Sequence, residues 1–122
     1  MNINLLIKSI DTFDNNYEKS FISEKILLNN KIEYSYSDEY GVSRISVHEN
    51  FIEIFRKGEI NSRQIFKPEE ITNFLYLTEN MKGHFSIKTN TLTILNRKIY
   101  LEYDIIDKNE VINSIKLEIT EL

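Results

Sequence analysis

The residues best suited to chemistry in this 122-residue chain surround a short charged stretch, RKGE, at Arg56–Glu59. It lies within IFRKGEINSRQIF (Ile54–Phe66), where apolar and polar residues alternate on both sides of Gly58. An arginine binds a carboxylate or phosphate through paired N–H donors, so Arg56 is a candidate contact for an acidic group. A glycine between charged residues is also typical of a β-hairpin turn, and we predict the turn as the first role of RKGE.

Two registers of this hairpin follow from two loop lengths. A two-residue loop at Lys57-Gly58 mixes apolar and charged side chains on each face. A three-residue loop with Gly58 in the left-handed region places Ile54 opposite Ile60 and separates the faces better, so we predict this register. Its inward face carries Ile52, Ile54, Ile60, Ser62, Gln64 and Phe66, with Arg56 leaning inward at the strand end. The polar groups on this face need partners, which water, another strand or a ligand would supply.

Residue types that serve catalysis or metal binding are sparse. His48 and His84 are the only histidines and cysteine is absent, so a zinc site would need carboxylates from distant strands. There is no G-x-S-x-G elbow, and the three glycines, Gly41, Gly58 and Gly83, lie too far apart for a phosphate-binding loop. We predict no catalytic residue, no metal site and no cofactor. A non-enzymatic protein is favoured, and a hydrolase or isomerase with its site in the barrel mouth stays open as a third class.

The elements that position these residues are β-strands, because apolar residues recur with period two over nearly the whole chain. Turn signals such as Asn29-Asn30 and Lys108-Asn109 separate the runs, and alanine, the best helix former, is absent. One segment, KPEEITNFLYL (67–77), fits either a helix or a strand. We favour the strand, because Thr72, Asn73 and Phe74 are poor helix formers.

Charge and hydropathy exclude several classes of partner. The net charge of −4 and the pI of about 5.2 leave no global basic surface for nucleic acid or an anionic membrane. No apolar run approaches the roughly 20 residues of a membrane-spanning helix. The first residues, MNINLLIKSI, lack the basic region and cleavage site of a signal peptide. We expect a cytoplasmic protein without nucleic-acid or membrane partners, present as a monomer or a small homo-oligomer.

From Tyr34 to the C-terminus the chain resembles the YwiB-like proteins, a bacterial family of uncharacterised function with a calycin-like (lipocalin-like) β-barrel fold. The residues that carry the resemblance are YSYSDE at Tyr34–Glu39, Arg56 and Gly58 in RKGE, Phe66, Gly83-His84-Phe85 with Thr89, and the closing strands IYLEYDI and IKLEI. The family's Thr-Pro-aromatic-Gly turn is replaced here by TENMKG at Thr78–Gly83. The resemblance implies a calycin-like barrel of roughly eight to ten strands.

These observations predict an all-β chain in which residues 1–122 form a single antiparallel calycin-like β-barrel with little or no helix. The first functional hypothesis is a non-enzymatic binder of a small, partly apolar ligand, held in the barrel or at its mouth. Arg56 would contact an acidic group of the ligand, while Gln64, Tyr34 and Tyr103 would orient it. The alternative is a protein-interaction or structural module with a filled barrel and no small-molecule ligand. A cavity of roughly a few hundred Å³ with converging polar groups favours the first hypothesis, and a filled interior favours the second.

Overall fold

The computed structural model describes the whole chain, Met1–Leu122, as β-strands joined by short turns, without a helix. It therefore contains no helix long and apolar enough to span a membrane. The strands in chain order are β1 (Asn2–Asp11), β2 (Asn16–Leu27), β3 (Lys31–Asp38), β4 (Gly41–His48), β5 (Ile52–Gly58), β6 (Asn61–Phe66), β7 (Ile71–Leu77), β8 (Lys82–Leu95), β9 (Lys98–Asp107) and β10 (Glu110–Glu121). The predicted all-β class is confirmed.

The ten strands form one closed antiparallel barrel. Each strand pairs with its neighbours in sequence, and β1 also pairs with β10, which places Ile7 opposite Ile119. This order is an up-and-down meander, and closing it leaves no strand at a sheet edge. The period-two pattern of the sequence explains the result, because alternate side chains of every strand point into the barrel.

Large side chains fill the middle of the barrel. Ile52, Phe66, Ile87 and Leu101, from four different strands, are all 0 % exposed. The Phe66 ring meets the ring of Tyr103 edge-on, with 4.7 Å between the ring centroids. Full burial of a side chain of this size stabilises the fold by roughly 1.5–3 kcal/mol. The barrel is thus held by a packed hydrophobic core along its axis.

The ambiguous segment KPEEITNFLYL forms strand β7, as predicted. The strand begins at Ile71, after a turn in which Pro68 is followed by Glu69 with a positive φ of 67°. Phe74 points inward and packs against Phe85 of β8, with 5.6 Å between the ring centroids. Burial of Phe74 in the barrel outweighs the helix-start signal that Pro68 gives.

The β5–β6 hairpin has neither the predicted register nor the alternative one. Ile54 lies opposite Gln64 and Arg56 opposite Ser62, so the predicted pairing of Ile54 with Ile60 is wrong. The connecting loop is longer than either prediction allowed. The predicted inward residues that lie in the strands keep their face, because the predicted and observed registers differ by an even number of residues. Ile60, which was also predicted to point inward from a strand, lies in the loop.

Hydrogen bonds that a turn pattern does not reveal explain the longer loop. The side-chain amide of Asn61 accepts from the Gly58 N–H at 3.2 Å and donates to the Gly58 carbonyl oxygen at 2.9 Å. The Glu59 N–H donates to the Tyr40 carbonyl oxygen of the neighbouring β3–β4 turn at 2.8 Å. The loop is therefore closed by a side chain and by the next hairpin rather than by a tight turn of its own.

Candidate functional site

The antiparallel meander gives the barrel two distinct ends. The termini end carries both chain termini and the β2–β3, β4–β5, β6–β7 and β8–β9 connections. The opposite end carries the remaining turns, including the Lys57–Asn61 loop. An inward-pointing side chain near a strand terminus faces one of these two mouths, whereas an inward-pointing side chain at mid-strand lies in the packed core.

A small, partly open cavity of about 90 Å³ lies at the termini end. It adjoins an open cleft of about 630 Å³ between the β2–β3 and β4–β5 turns, and the two share Ile32, Val47 and Ile94 as lining residues. The other apolar residues of the cavity wall are Leu5, Leu95, Ile99 and Ile119. At about 30 Å³ for each water of the liquid, the cavity has room for about three waters. We call it the termini-end cavity.

One side of the termini-end cavity is polar and charged. The Lys25 ammonium donates to both carboxylate oxygens of Glu121 at 2.9 Å, and the Tyr34 hydroxyl donates to one of them at 3.0 Å. The Lys25 and Glu121 side chains are only 15 % and 12 % exposed. Because little water competes for these groups, their mutual hydrogen bonds are stronger than those of a surface pair. We call these three residues the Lys25–Glu121–Tyr34 network.

The network fixes the protonation states of its members. Burial raises the pKa of Glu121, but the hydrogen bonds from Lys25 and Tyr34 outweigh burial and hold that pKa below its ordinary value of 4.5. Burial, followed by the hydrogen bond to Glu121, raises the pKa of the Tyr34 hydroxyl well above its ordinary value of 10.0. Glu121 is therefore ionised at neutral pH and Tyr34 is a neutral hydrogen-bond donor.

The lowered pKa of Glu121 predicts a loss of stability in acid. Its contribution is fully present above pH 4.5 and disappears as the pH falls through the depressed pKa. In urea denaturation between pH 7 and pH 3, we expect Glu121→Gln to be less stable than the wild type at pH 7 and to lose less stability towards pH 3. Glu18→Gln, which breaks the exposed pair with Lys8, is the control and should follow the wild-type curve. Parallel curves for Glu121→Gln and the wild type would contradict the assignment.

Arg97 occupies the rim of the termini-end cavity in the β8–β9 turn. Its backbone has a positive φ of 73°, and its carbonyl oxygen accepts from the Glu121 N–H at 2.8 Å, which attaches the turn to β10. The Arg97 side chain is exposed, and no carboxylate oxygen lies within 4.0 Å of its guanidinium nitrogens. The adjacent Lys98, by contrast, pairs with Glu118 at 3.4 Å.

Arg56, the first residue singled out from the sequence, lies at the opposite end of the barrel. Its guanidinium donates to Asp38 at 3.2 Å, and the Asp38 side chain is 9 % exposed. The strand registers align Arg56 with an inward-facing polar row across β3 to β7, formed by Tyr36, Ser43, Ser62 and Tyr76. The acidic group that Arg56 contacts in this structure is therefore a side chain of the protein itself.

The remaining predicted residues, Gln64 and Tyr103, lie in the barrel wall and core. Gln64 is half-buried opposite Ile54, on a part of β6 that has no backbone pairing with β7. Tyr103 is buried against Phe66, and burial raises the pKa of its hydroxyl. Of the four predicted residues, only Tyr34 lines the termini-end cavity, so the structure does not bring the predicted set together at that cavity.

Comparison with known proteins places this fold in a family. The model of a family described as a domain of unknown function (DUF1934) matches residues 20–119. The chain belongs to the DUF1934 family. The crystal structure of the ywiB protein from Bacillus subtilis matches this DUF1934 domain with a TM-score of 0.80 and 18 % sequence identity, covering 99 % of this chain and 92 % of that one. The predicted YwiB-like family and its barrel are confirmed. No curated protein matches the chain significantly.

Sequence reasoning missed three functional candidates of this DUF1934 domain, namely Lys25, Glu121 and Arg97. The sequence contains a signal for two of them, Lys25 and Glu121. Lys25 continues the inward phase of β2, and Glu121 continues the inward phase of β10 after Ile119. A charged residue in an apolar phase requires a partner inside the barrel. Nothing in the turn around Arg97 indicates that it faces a cavity.

Proposed function

We propose that the protein binds a small, partly apolar ligand at the termini-end mouth of its barrel. The observation that carries the proposal is the termini-end cavity. It is an apolar recess beside the largely buried Lys25–Glu121–Tyr34 network, and it continues into an open cleft. An apolar recess with a few converging polar groups is the usual form of a small-molecule site. The mouth rather than the core is the site, because large side chains fill the middle of the barrel.

Each part of the mouth has a role in this proposal. Ile32, Val47 and Ile94 line both the cavity and the cleft, so an apolar group of the ligand would contact them while entering. Tyr34 would help to orient the ligand, as the sequence predicted, by forming one polar wall with Glu121. Contributions of Arg56, Gln64 and Tyr103 to ligand binding stay predictions, and a site at the opposite end would be needed for Arg56 to act.

Blocking the mouth tests the proposal. Ile94 is 38 % exposed at the entrance, so Ile94→Trp should fill the passage without disturbing the core. Ile22 is 74 % exposed on the outer wall, and Ile22→Trp is the matched control. We expect small organic fragments to shift the NMR signals of backbone amides around Ile32 and Arg97 in the wild type and in Ile22→Trp. Binding at these amides should weaken at least about tenfold in Ile94→Trp, which corresponds to about 1.4 kcal/mol.

Two outcomes would reject binding at this mouth. One is a fragment screen that gives no saturable shift around the cavity. The other is equal binding by Ile94→Trp and the wild type. Fragment shifts that cluster instead around Arg56 would move the site to the opposite end of the barrel.

A protein-interaction module is the second candidate function, and the filled interior favours it. Three large apolar side chains of the termini end are exposed as well, since Leu27, Leu28 and Leu95 are 64 %, 47 % and 60 % exposed. Apolar groups that gather on one end of a protein are typical of an interaction surface. Native mass spectrometry over a range of protein concentrations separates the candidates. A homo-oligomer that Leu27→Ser dissociates supports the module, and a monomer at all concentrations argues against self-association.

A further inference from the structure

We infer that the ligand of the termini-end cavity is a small organic anion with one negative charge, whose short apolar tail enters the cavity and whose head group binds Arg97. The inference rests on the proposed function and specifies the chemical class of the ligand. It follows from the charges around the mouth, from the geometry of the arginine and from the volume of the cavity.

The charges that line the mouth leave one cation without a partner. Lys25 is neutralised by Glu121 at 2.9 Å, and Lys98 is paired with Glu118 at 3.4 Å. Arg97 has no carboxylate oxygen within 4.0 Å, although its charge is the smallest of the causes that lower the pKa of Glu121. A ligand with a single negative charge would therefore form the direct ion pair that the cavity lining does not give Arg97.

The polar side of the cavity disfavours a positively charged ligand. Both carboxylate oxygens of Glu121 already accept hydrogen bonds from Lys25, and one accepts a third from Tyr34. A ligand ammonium group would compete with Lys25 for these oxygens and would be repelled by Arg97. A hydroxyl head group would accept a single hydrogen bond from Arg97 and would bring no opposite charge to it. Among head groups of similar size, an anion has the most to gain at this rim.

The ligand would have two parts, a head group that binds Arg97 and a tail that enters the cavity. A guanidinium presents parallel N–H donors that match the two oxygens of a carboxylate. The apolar wall formed by Leu5, Ile99 and Ile119 would contact the tail. With room for about three waters, the cavity itself holds about three carbon atoms of the tail, and the remaining carbons of a longer tail would contact Ile32, Val47 and Ile94, where the cavity joins the cleft.

Hexanoate, 1-hexanol and hexylamine test the inference, since they share a tail and differ in head group. In NMR titrations at low ionic strength, we expect hexanoate to bind the cavity at least about tenfold more tightly than hexanol, because one additional charge-assisted contact strengthens binding by about that factor. Hexylamine should bind more weakly than hexanol. Arg97→Met should bring hexanoate down to the affinity of hexanol without changing hexanol itself, whereas Arg97→Lys should keep part of the preference.

Arg63→Met is the control for a general loss of positive charge. Arg63 is exposed on the outer wall, where it pairs with Glu53, and its substitution should leave the preference for hexanoate intact. Equal binding of hexanoate and hexanol would overturn the anion class while leaving the cavity as a binding site. Absence of all three ligands from the cavity would overturn both the inference and the proposed function. A preference that survives in Arg97→Met would overturn the role of Arg97.

Discussion

Alanine at Gly58 is expected to lower the free energy of unfolding by about 3 kcal/mol or more. Gly58 has a φ of 145°, a conformation that residues with a side chain rarely adopt, and it lies opposite Gly41, whose φ is 133°. A Cβ on Gly58 would lie 2.8 Å from the Cα of Gly41 and closer still to the Tyr40 carbonyl oxygen. These are backbone atoms, so relief of the clash requires β4 and β5 to move apart.

The same geometry makes the two glycines energetically coupled. A Cβ on Gly41 would lie 2.9 Å from the Cα of Gly58, so either substitution forces the same separation of the strands. Once one substitution has separated them, the second meets less resistance. The loss in the double variant, Gly41→Ala with Gly58→Ala, should therefore be smaller than the sum of the two single losses.

Urea denaturation of the two single variants, the double variant and the wild type gives all the required free energies. Glu59→Ala is the control, because Glu59 is the exposed neighbour of Gly58 and its change should stay within about 0.5 kcal/mol. A Gly58→Ala variant as stable as this control would show that the close approach of the two glycines is not required. Strict additivity in the double variant would show that the glycines act independently.

The architecture of this barrel was predictable because it depends on local patterns. Period-two alternation marks a strand wherever one face is buried, and nearly every segment of the chain shows it. Turns were predictable for the same reason. Lys108 and Asn109 both have positive φ, 50° and 67°, as a two-residue hairpin turn of the primed type requires. The family resemblance then supplied what alternation alone does not give, namely that the meander closes.

The β5–β6 register was not predictable, because it depends on contacts outside the hairpin. The Glu59 N–H bonds to Tyr40, which belongs to another turn, and the Asn61 amide replaces a backbone partner of Gly58. Propensity rules for a glycine turn consider only the residues within the loop. They therefore favoured a shorter loop than the one that the neighbouring hairpin stabilises.

The candidate site was the least predictable part, because its charged residues meet only through closure of the barrel. Lys25 and Glu121 are 96 residues apart, and they meet because β2 and β10 both pair with β1, where Leu5 lies opposite both Phe21 and Glu121. Arg56 was a candidate from the sequence because it belongs to the RKGE motif. Arg97 lies in a turn without a recognisable motif, and only the three-dimensional structure shows that it has no carboxylate partner.

Truncation of Phe66 should have a large effect on stability and little effect on the proposed site. Phe66 is 0 % exposed and packs against Tyr103 in the middle of the barrel. Removing a buried phenylalanine ring leaves a cavity that the core fills only in part, so Phe66→Ala should lower the free energy of unfolding by about 3–5 kcal/mol. Phe13→Ala is the matched control, because Phe13 is 67 % exposed and the same change there should cost at most about 0.5 kcal/mol.

The same variant also tests whether the ligand binds at the mouth or in the core of the barrel. Phe66 does not line the termini-end cavity, so a fragment that binds the wild type there should bind folded Phe66→Ala within about twofold. Urea denaturation and the NMR titration are to be performed on the same protein preparation, so that only the folded fraction is compared. A small stability loss would contradict the packed core. A loss or large gain of affinity would mean that the ligand reaches the interior of the barrel. The assignment of the binding site to the mouth alone would then be wrong.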